Sequence, residues 1–170
     1  MKLHILVGDI TTVNTEVIVN TANFRLLGGG GVDGAIHKRG GPTILTQCKT
    51  LRETKYPDGL PCGEATITEA GNLKAKYVIH TVGPRYKFDD KPAELLGQCY
   101  KNSLLLADKY KCKSIAFPSI STGVYAYPKE EAAKIAYETI YKTMQQCDFI
   151  EDVVLVFYTN KEAEIMKDLI

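Results

Sequence analysis

Short runs of β-branched and aliphatic residues alternate along this chain with longer segments of helical periodicity, and this alternation restricts the possible folds most. The strand candidates are residues 3–7, 17–19, 65–68, 77–81, 114–117 and 153–158. The helix candidates are residues 33–48, 93–110, 129–146 and 161–169. Several strand candidates lack polar alternation, which is typical of strands covered on both faces. The pattern therefore predicts an α/β fold with a sheet between two helical layers.

Size and charge narrow the functional classes. A chain of 170 residues, 45% apolar and 24% charged, is typical of an ordinary globular protein. We expect one domain over residues 1–170, because this length supports one core and is short for two. Lys and Arg total 21 against 20 Asp and Glu, a net charge of +1 without a basic tail. Nucleic-acid binding by bulk charge is therefore disfavoured.

The cysteines, the histidines and the apolar runs indicate no metal site and no membrane segment. The five cysteines are widely spaced and form no C-x-x-C pair, and the three histidines show no metal-ligand spacing. The apolar run near the first residue is too short for a signal peptide, and nowhere do eighteen apolar residues follow one another. We expect reduced thiols, no bound metal and a cytoplasmic location.

Four loops that follow strand candidates carry unusual residues. They are residues 8–12, 20–23, 28–34 and 119–125. Ligands of open α/β sheets bind beyond the carboxyl ends of the strands, so these loops are predicted to meet at one crevice. Two of them are rich in glycine, serine and threonine. Their backbone N–H groups suit phosphate oxygens, and a pair of such loops favours a diphosphate, although the glycines also fit simple tight turns.

The sequence contains the residue pattern of a dinucleotide-binding fingerprint but lacks the structural context that the fingerprint requires. Gly29, Gly31 and Gly34 satisfy G-x-G-x-x-G. However, loop residues separate them from the preceding strand candidate, and Glu53, the acid nearest the required spacing, lies in a polar stretch. No G-K-[ST] follows the glycines. A nicotinamide-dependent dehydrogenase is therefore disfavoured.

The polar side chains of these loops have alternative interpretations. Asp9 either caps the turn that follows it or accepts a hydrogen bond from an amino group such as that of adenine. Asn20 and Asn23 either shape a turn or hold ribose hydroxyls. Asp33 and His37 lie one helical turn apart and share a helix face. Either Asp33 is a first-turn acid stabilised by the helix dipole and His37 is a surface histidine, or both belong to a reacting site.

His80 ends an apolar strand candidate, which is typical of a core histidine with satisfied hydrogen bonds rather than of a catalytic one. No G-x-S-x-G pattern is present, so Ser119 and Ser121 are not obvious nucleophiles.

Six segments in fixed order resemble the MacroD-type macrodomains. They are G-D-I-T at 8–11, V-N-T-A-N at 19–23, L-L-G-G-G-G-V-D-G-A-I-H at 26–37, P-C-G-E-A at 61–65, Y-V-I-H-T-V-G-P at 77–84 and S-I-S-T-G-V-Y-A-Y-P at 119–128. These macrodomains bind ADP-ribose and include O-acetyl-ADP-ribose deacetylases and mono-ADP-ribosyl hydrolases. The resemblance implies a three-layer α/β/α macrodomain fold on a mixed sheet.

The resemblance also implies roles for single residues. Asp9 would hold the adenine amino group, Ile10 would offer its backbone N–H, and Tyr158 would pack on the adenine. Asn23 would orient the distal ribose, and Asp33 would lie near the attacking water with His37 behind it. The residues wrapping the diphosphate would be Gly30, Gly31, Val32, Ser121, Thr122, Gly123, Val124 and Tyr125.

Three residues depart from the family pattern. Thr21 stands where many members have Ala, Ala126 replaces a common glycine, and Thr159 replaces a common acid. If the loop requires a positive φ at residue 126, Ala costs about 1 kcal/mol there. We expect a monomeric hydrolase of ADP-ribose esters, whether O-acyl or protein-linked, that needs no cofactor. The alternative is a reader that binds ADP-ribose without turnover.

Overall fold

A six-stranded mixed sheet lies at the centre of the computed structural model, which describes all 170 residues. The strands are β1 (Lys2–Val7), β2 (Val17–Thr21), β3 (Ala65–Glu69), β4 (Tyr77–Thr81), β5 (Ser114–Pro118) and β6 (Asp152–Phe157). Their order is β1-β6-β5-β2-β4-β3, and only β3 runs antiparallel to its neighbour. The carboxyl ends of the five parallel strands therefore meet along one edge of the sheet.

Five α-helices and one 3₁₀ helix connect the strands. They are the 3₁₀ helix (Ile10–Thr12), α1 (Gly31–Gly40), α2 (Pro42–Thr54), α3 (Pro92–Lys109), α4 (Lys129–Met144) and α5 (Asn160–Lys167). None of these helices is long and apolar enough to cross a bilayer.

The helices cover both faces of the sheet. Leu104 of α3, Ile140 of α4 and Met166 of α5 belong to one buried apolar cluster, together with Phe117 of β5. Ile36 of α1 and Ile44 of α2 belong to a second cluster on the opposite face. Strands buried on both faces explain the near-continuous apolar runs of β5 and β6. The three-layer α/β/α prediction with a mixed sheet is confirmed.

The predicted helix over residues 33–48 is wrong as a single element. The chain forms two helices there, and Gly41 between them has φ 77° and ψ −171°, which no helix accommodates. Pro42 occupies the first position of α2, because proline lacks the N–H that an interior position would require. The Gly-Gly-Pro sequence at 40–42 was the signal for this break.

Strand β2 extends beyond the predicted residues 17–19. Asn20 and Thr21 continue the ladder with β4, with Asn20 opposite His80 and Thr21 opposite Thr81. Asn20 therefore lies inside the sheet rather than in the loop that follows it.

Candidate active site

A cleft of about 570 Å³ opens at the carboxyl ends of the parallel strands. Its walls come from the segments after β1, β2, β4, β5 and β6 and from the first turn of α1. The predicted site residues that line the cleft are Ile10, Asn23, Gly30, Gly31, Val32, Asp33, Ser121, Thr122, Gly123, Val124, Tyr125 and Tyr158. Three others, Asp9, Asn20 and His37, do not line it. Chain connectivity thus brings four separate loops to one crevice, as expected for an open α/β sheet.

The loop after β5 presents a row of unused hydrogen-bond donors. None of the backbone N–H groups from Ser121 to Tyr125 donates a hydrogen bond within the protein. The loop is nevertheless held in shape, since Tyr127 N donates to Ser121 O at 2.9 Å and Ala126 N donates to Gly123 O at 2.9 Å. Successive free N–H groups in a loop held in a fixed shape form a candidate anion site.

Two non-glycine residues of this loop have left-handed backbones. Ser121 has φ 66° and Ala126 has φ 59°. Residue 126 therefore has the positive φ at which alanine is less favourable than glycine.

The second anion site is the start of α1. No N–H group from Gly29 to Asp33 donates within the protein, and the helix has no side-chain cap. Free N–H groups at a helix start combine with the helix dipole to favour negative charge. The two donor sets belong to different loops of the same cleft, which is the arrangement that a diphosphate between them requires.

Asn23 and Asp33 lie close together where the glycine-rich loop meets α1. Asn23 is locked in place, since its Nδ2 donates to Gly28 O at 3.0 Å and its Oδ1 accepts from Arg25 N at 3.0 Å. A Cβ at Gly29 would stand 3.3 Å from Asn23 Nδ2 and 3.1 Å from Asp33 Oδ2. Glycine at 29 therefore leaves both side chains room at the cleft wall.

The Asp33 carboxylate is buried, with one oxygen engaged and the other unused. Asp33 Oδ1 accepts from Asn20 Nδ2 at 2.7 Å and lies 3.3 Å from His37 Nε2. No hydrogen bond of the structure involves Oδ2. The carboxylate is held from behind and keeps one acceptor oxygen for a molecule in the cleft.

Asn20 does not reach the cleft, so its predicted contact with ribose hydroxyls does not fit the structure. The residue is fully buried within β2, and its amide nitrogen contacts Asp33 and His80 instead. The physical reason is the β-strand alternation, which turns Asn20 toward α1 beneath the cleft floor. Asn20 hydrogen-bonds to the Asp33 carboxylate from within the sheet.

The opposite end of the cleft carries Ile10 and Tyr158, with Asp9 beside it. Asp9 Oδ1 caps the 3₁₀ helix by accepting from Thr11 N at 2.9 Å and from Thr11 Oγ1 at 2.7 Å. These hydrogen bonds lower the pKa of Asp9 below its ordinary value. The capping interpretation therefore holds for Oδ1, while the contact with adenine stays a prediction for Oδ2.

Five residues of the cleft wall lie outside the four predicted loops and were not among the predicted site residues: Gly83, Pro118, Lys129, Val156 and Glu162. Gly83 follows β4, where a Cβ would collide with Ser121 Oγ and Ile120, so glycine lets the two loops approach closely. Lys129 Nζ lies 3.9 Å from Glu162 Oε1, and both residues line the cleft from α4 and α5. The post-strand position of Gly83 was a usable signal. Lys129 and Glu162 had none, because surface charges on helices are common.

Thr159 has a structural role at the start of α5. It is the N-cap of α5, and its hydroxyl accepts from Glu162 N at 3.3 Å. Threonine is a favoured residue at that position.

Comparisons with known proteins converge on one family. A family model described as "Macro domain" matches residues 19–136. The O-acetyl-ADP-ribose deacetylase of Klebsiella pneumoniae is 48% identical over 168 residues, covering 98% of this chain and 95% of the relative. An uncharacterised protein of Thermoplasma volcanium is 53% identical over 165 residues, and the match covers 97% of this chain and 81% of that relative.

Two solved structures are also similar. A mutant macrodomain of Oceanobacillus iheyensis with ADPR has a TM-score of 0.92 at 46% identity, with 98% of this chain and 90% of that chain covered. The Trypanosoma brucei macrodomain in complex with ADP-ribose has a TM-score of 0.88 at 35% identity, with coverages of 98% and 68%.

Proposed function

This chain belongs to the Macro domain family, and we propose that it binds ADP-ribose in the cleft and hydrolyses acyl esters on the distal ribose, as an O-acetyl-ADP-ribose deacetylase. The observation that carries the proposal is the unused Oδ2 of Asp33, beside Asn23 and the diphosphate-binding loops. A protein that only read ADP-ribose would not need a carboxylate at that place. The similarity to the Klebsiella pneumoniae deacetylase supports the same conclusion.

The binding mode follows from the donor sets. The diphosphate lies between the N–H groups of residues 121–125 and those of residues 29–33, where both loops offer free donors. The adenine packs on Tyr158 near Ile10 and Asp9, and the distal ribose lies toward Asn23 and Asp33. Hydrogen bonds within the protein already hold the loop after β5 and the Asn23 amide in position, which reduces the entropy cost of binding.

Hydrolysis requires a positioned water and a positioned ester. Asp33 Oδ2 accepts a hydrogen bond from the water, which attacks the acyl carbonyl carbon. The bond between the acyl carbon and the ribose oxygen then breaks, and the leaving ribose oxygen takes up the proton that the water gave to Asp33, which yields the ribose hydroxyl. Asn23, with its amide held by Gly28 and Arg25, orients the ribose. The step needs no redox change, and its products are the free acid and ADP-ribose.

Esters between ADP-ribose and Asp or Glu side chains of proteins are included in the proposal. They present the same acyl carbon on the same ribose, so the same groups serve both substrates. The cleft offers no basic tract for nucleic acid, and the proposal requires no metal or organic cofactor.

The test is incubation of the protein with O-acetyl-ADP-ribose and, separately, with a glutamate-linked ADP-ribosylated protein, following release of acetate and of ADP-ribose. We expect turnover of the first substrate and removal of ADP-ribose from the second. Tight ADP-ribose binding without turnover of either substrate would establish a reader instead. Full activity in the presence of a chelator is expected, and loss of activity restored by zinc or magnesium would contradict the metal-free mechanism.

A further inference from the structure

A line of buried polar side chains runs through the sheet behind the cleft. It joins Thr68 of β3, His80 of β4 and Asn20 of β2 to Asp33 of α1, and all four residues are buried. Thr68 Oγ1 lies 3.0 Å from His80 Nε2, His80 Nδ1 lies 3.1 Å from Asn20 Nδ2, and Asn20 Nδ2 donates to Asp33 Oδ1 at 2.7 Å. Buried polar groups in an apolar layer are costly unless their hydrogen bonds are made, so this line calls for an explanation.

Hydrogen bonds are donated along the line in both directions from Asn20, toward the cleft and toward the edge of the sheet. The Thr68 hydroxyl donates to Glu69 O at 3.0 Å, which leaves its oxygen to accept from His80 Nε2–H. His80 Nδ1 is then an acceptor for one hydrogen of the Asn20 amide, while the other hydrogen goes to Asp33 Oδ1. This order of donors gives every hydrogen along the line an acceptor.

The imidazole must be neutral for this order to hold. His80 is fully buried, and desolvation, assisted by His37, lowers its pKa to about 4. Above that pH the ring carries one proton. The Thr68 oxygen accepts a hydrogen bond at Nε2 and therefore favours the tautomer with the proton on that nitrogen. Cys48, whose Sγ lies 3.8 Å from Nε2, is a buried thiol whose pKa burial raises to about 12, so it stays uncharged.

Asn20 Oδ1 makes no hydrogen bond although it is buried. The opposite amide orientation would turn this oxygen toward the ionised carboxylate and toward the Nδ1 lone pair. The amide therefore leaves its own oxygen unsatisfied in order to donate twice. The Asp33 carboxylate and His80 Nδ1 together make that orientation the favourable one.

We propose that His80 is a positioning residue for the reaction: through Asn20 it orients the Asp33 carboxylate so that Oδ2 faces the bound ester. The proposal rests on the proposed hydrolase function. His80 touches neither water nor substrate, and its effect is confined to the direction in which one amide donates. Displacement of the Asp33 carboxylate should lower kcat and leave ADP-ribose affinity unchanged, because the contacts with adenine and the diphosphate are made by other residues.

The kinetic test uses two threonines of one strand. Thr66 and Thr68 are equally buried at 4% exposure, but the Thr66 hydroxyl takes part in no hydrogen bond of the structure. We expect Thr68→Val to lower kcat on O-acetyl-ADP-ribose by about tenfold, with the Kd for ADP-ribose unchanged within about threefold. Thr66→Val should leave kcat unchanged, and Thr68→Ser, which keeps the hydroxyl, should restore it. Equal effects of the two valine variants, or no effect of Thr68→Val, would overturn the proposal.

His80→Phe removes both ring nitrogens and is expected to lower kcat by up to about 10²-fold at unchanged ADP-ribose affinity. If this variant does not fold, the threonine pair decides. A folded His80→Phe protein with wild-type kcat would overturn the proposal.

A measurement independent of activity separates this proposal from the hydrolase function. Two-dimensional ¹H–¹⁵N spectra of the histidine rings should show His80 at pH 7 as the neutral Nε2–H tautomer, and as a mixture of tautomers in Thr68→Val. An Nδ1–H tautomer or an imidazolium would overturn the role of His80 whatever the activity. An inactive wild type with an Nε2–H His80 would overturn the hydrolase function and, with it, the catalytic part of the proposal.

Discussion

In the proposed mechanism, Asn23 and Asp33 act in the chemical step and contribute little to ADP-ribose affinity. We expect Asp33→Ala to reduce turnover by about 10²–10⁴-fold, the range for a lost general base, and Asn23→Ala to reduce it strongly as well. ADP-ribose affinity should change little, because in the proposed binding mode the diphosphate is held by the free N–H groups of the two loops. Single-turnover deacetylation and equilibrium binding of each variant provide the check.

His37 serves as the comparison for these two variants. Its Nε2 lies 3.3 Å from Asp33 Oδ1, on the side away from the unused oxygen, so His37→Ala should have the smaller effect. Wild-type turnover in Asp33→Ala would instead assign water activation to a phosphate of the substrate.

The Asp9 carboxylate has one capping oxygen and one unused oxygen. Asp9→Asn keeps an oxygen for Thr11 and replaces the other with an amino group, which would face the adenine amino group as a second donor. We expect ADP-ribose affinity to fall by about ten- to a hundredfold, the equivalent of about 1–3 kcal/mol. Calorimetry with ADP-ribose measures this loss, and unchanged affinity would remove Asp9 from the binding site.

Ala126 carries a backbone strain that glycine would relieve. Its φ of 59° lies in the left-handed region, so Ala126→Gly should raise the free energy of unfolding by about 0.5–1 kcal/mol. Ala35, inside α1, is the matched control, because glycine in a helix interior should lower stability by a similar amount. Urea denaturation of both variants should show changes of opposite sign. A loss of stability in both would show that unfolded-state entropy outweighs the strain.

Among the secondary-structure elements, α1 and α2 are separated by a break at Gly41. Gly41 has φ 77°, and a Cβ there would stand 2.8 Å from Asn72 Nδ2, so Gly41→Ala should destabilise the protein by about 1–2 kcal/mol. Gly97→Ala in α3 is the control. A Cβ at Gly97 meets Thr139 Oγ1 at an ordinary 3.4 Å, so this change should be neutral or stabilising by about 0.5–1 kcal/mol. Thermal denaturation of the pair distinguishes strain at the break from a general effect of replacing glycine.

The stability of the whole molecule should depend on pH through His80. Its pKa is about 4 in the folded protein, against an ordinary value of 6.5, because of burial first and of His37 second. Between these values the unfolded chain binds a proton that the folded protein does not. Stability should therefore fall by about 3 kcal/mol as the pH decreases from 6.5 to 4.

Urea denaturation at several pH values measures this dependence. His80→Phe should remove most of the slope in that window, whereas Asp9 and Asp89, whose pKa values are lowered by their hydrogen bonds, act at more acidic pH. A flat wild-type profile between pH 6.5 and 4 would show that His80 is not buried in its neutral form.

The layered fold and the composition of the cleft could be predicted from local sequence patterns. Apolar runs in β5 and β6 specify strands covered on both faces, and the glycine-rich segment before Asp33 specifies a backbone that can approach phosphate. Such features depend on neighbouring residues alone. The sheet rule then placed the post-strand loops at one crevice without further information.

Contacts between residues distant in sequence were decided by the tertiary structure alone. Asn20 supports Asp33 because the register of β2 and β4 places Asn20 opposite His80, and no local pattern contains that register. Lys129 and Glu162 line the cleft only because α4 and α5 begin beside it. Local propensity determines which element forms, whereas strand register and helix packing determine which side chains meet, since those depend on the whole apolar core.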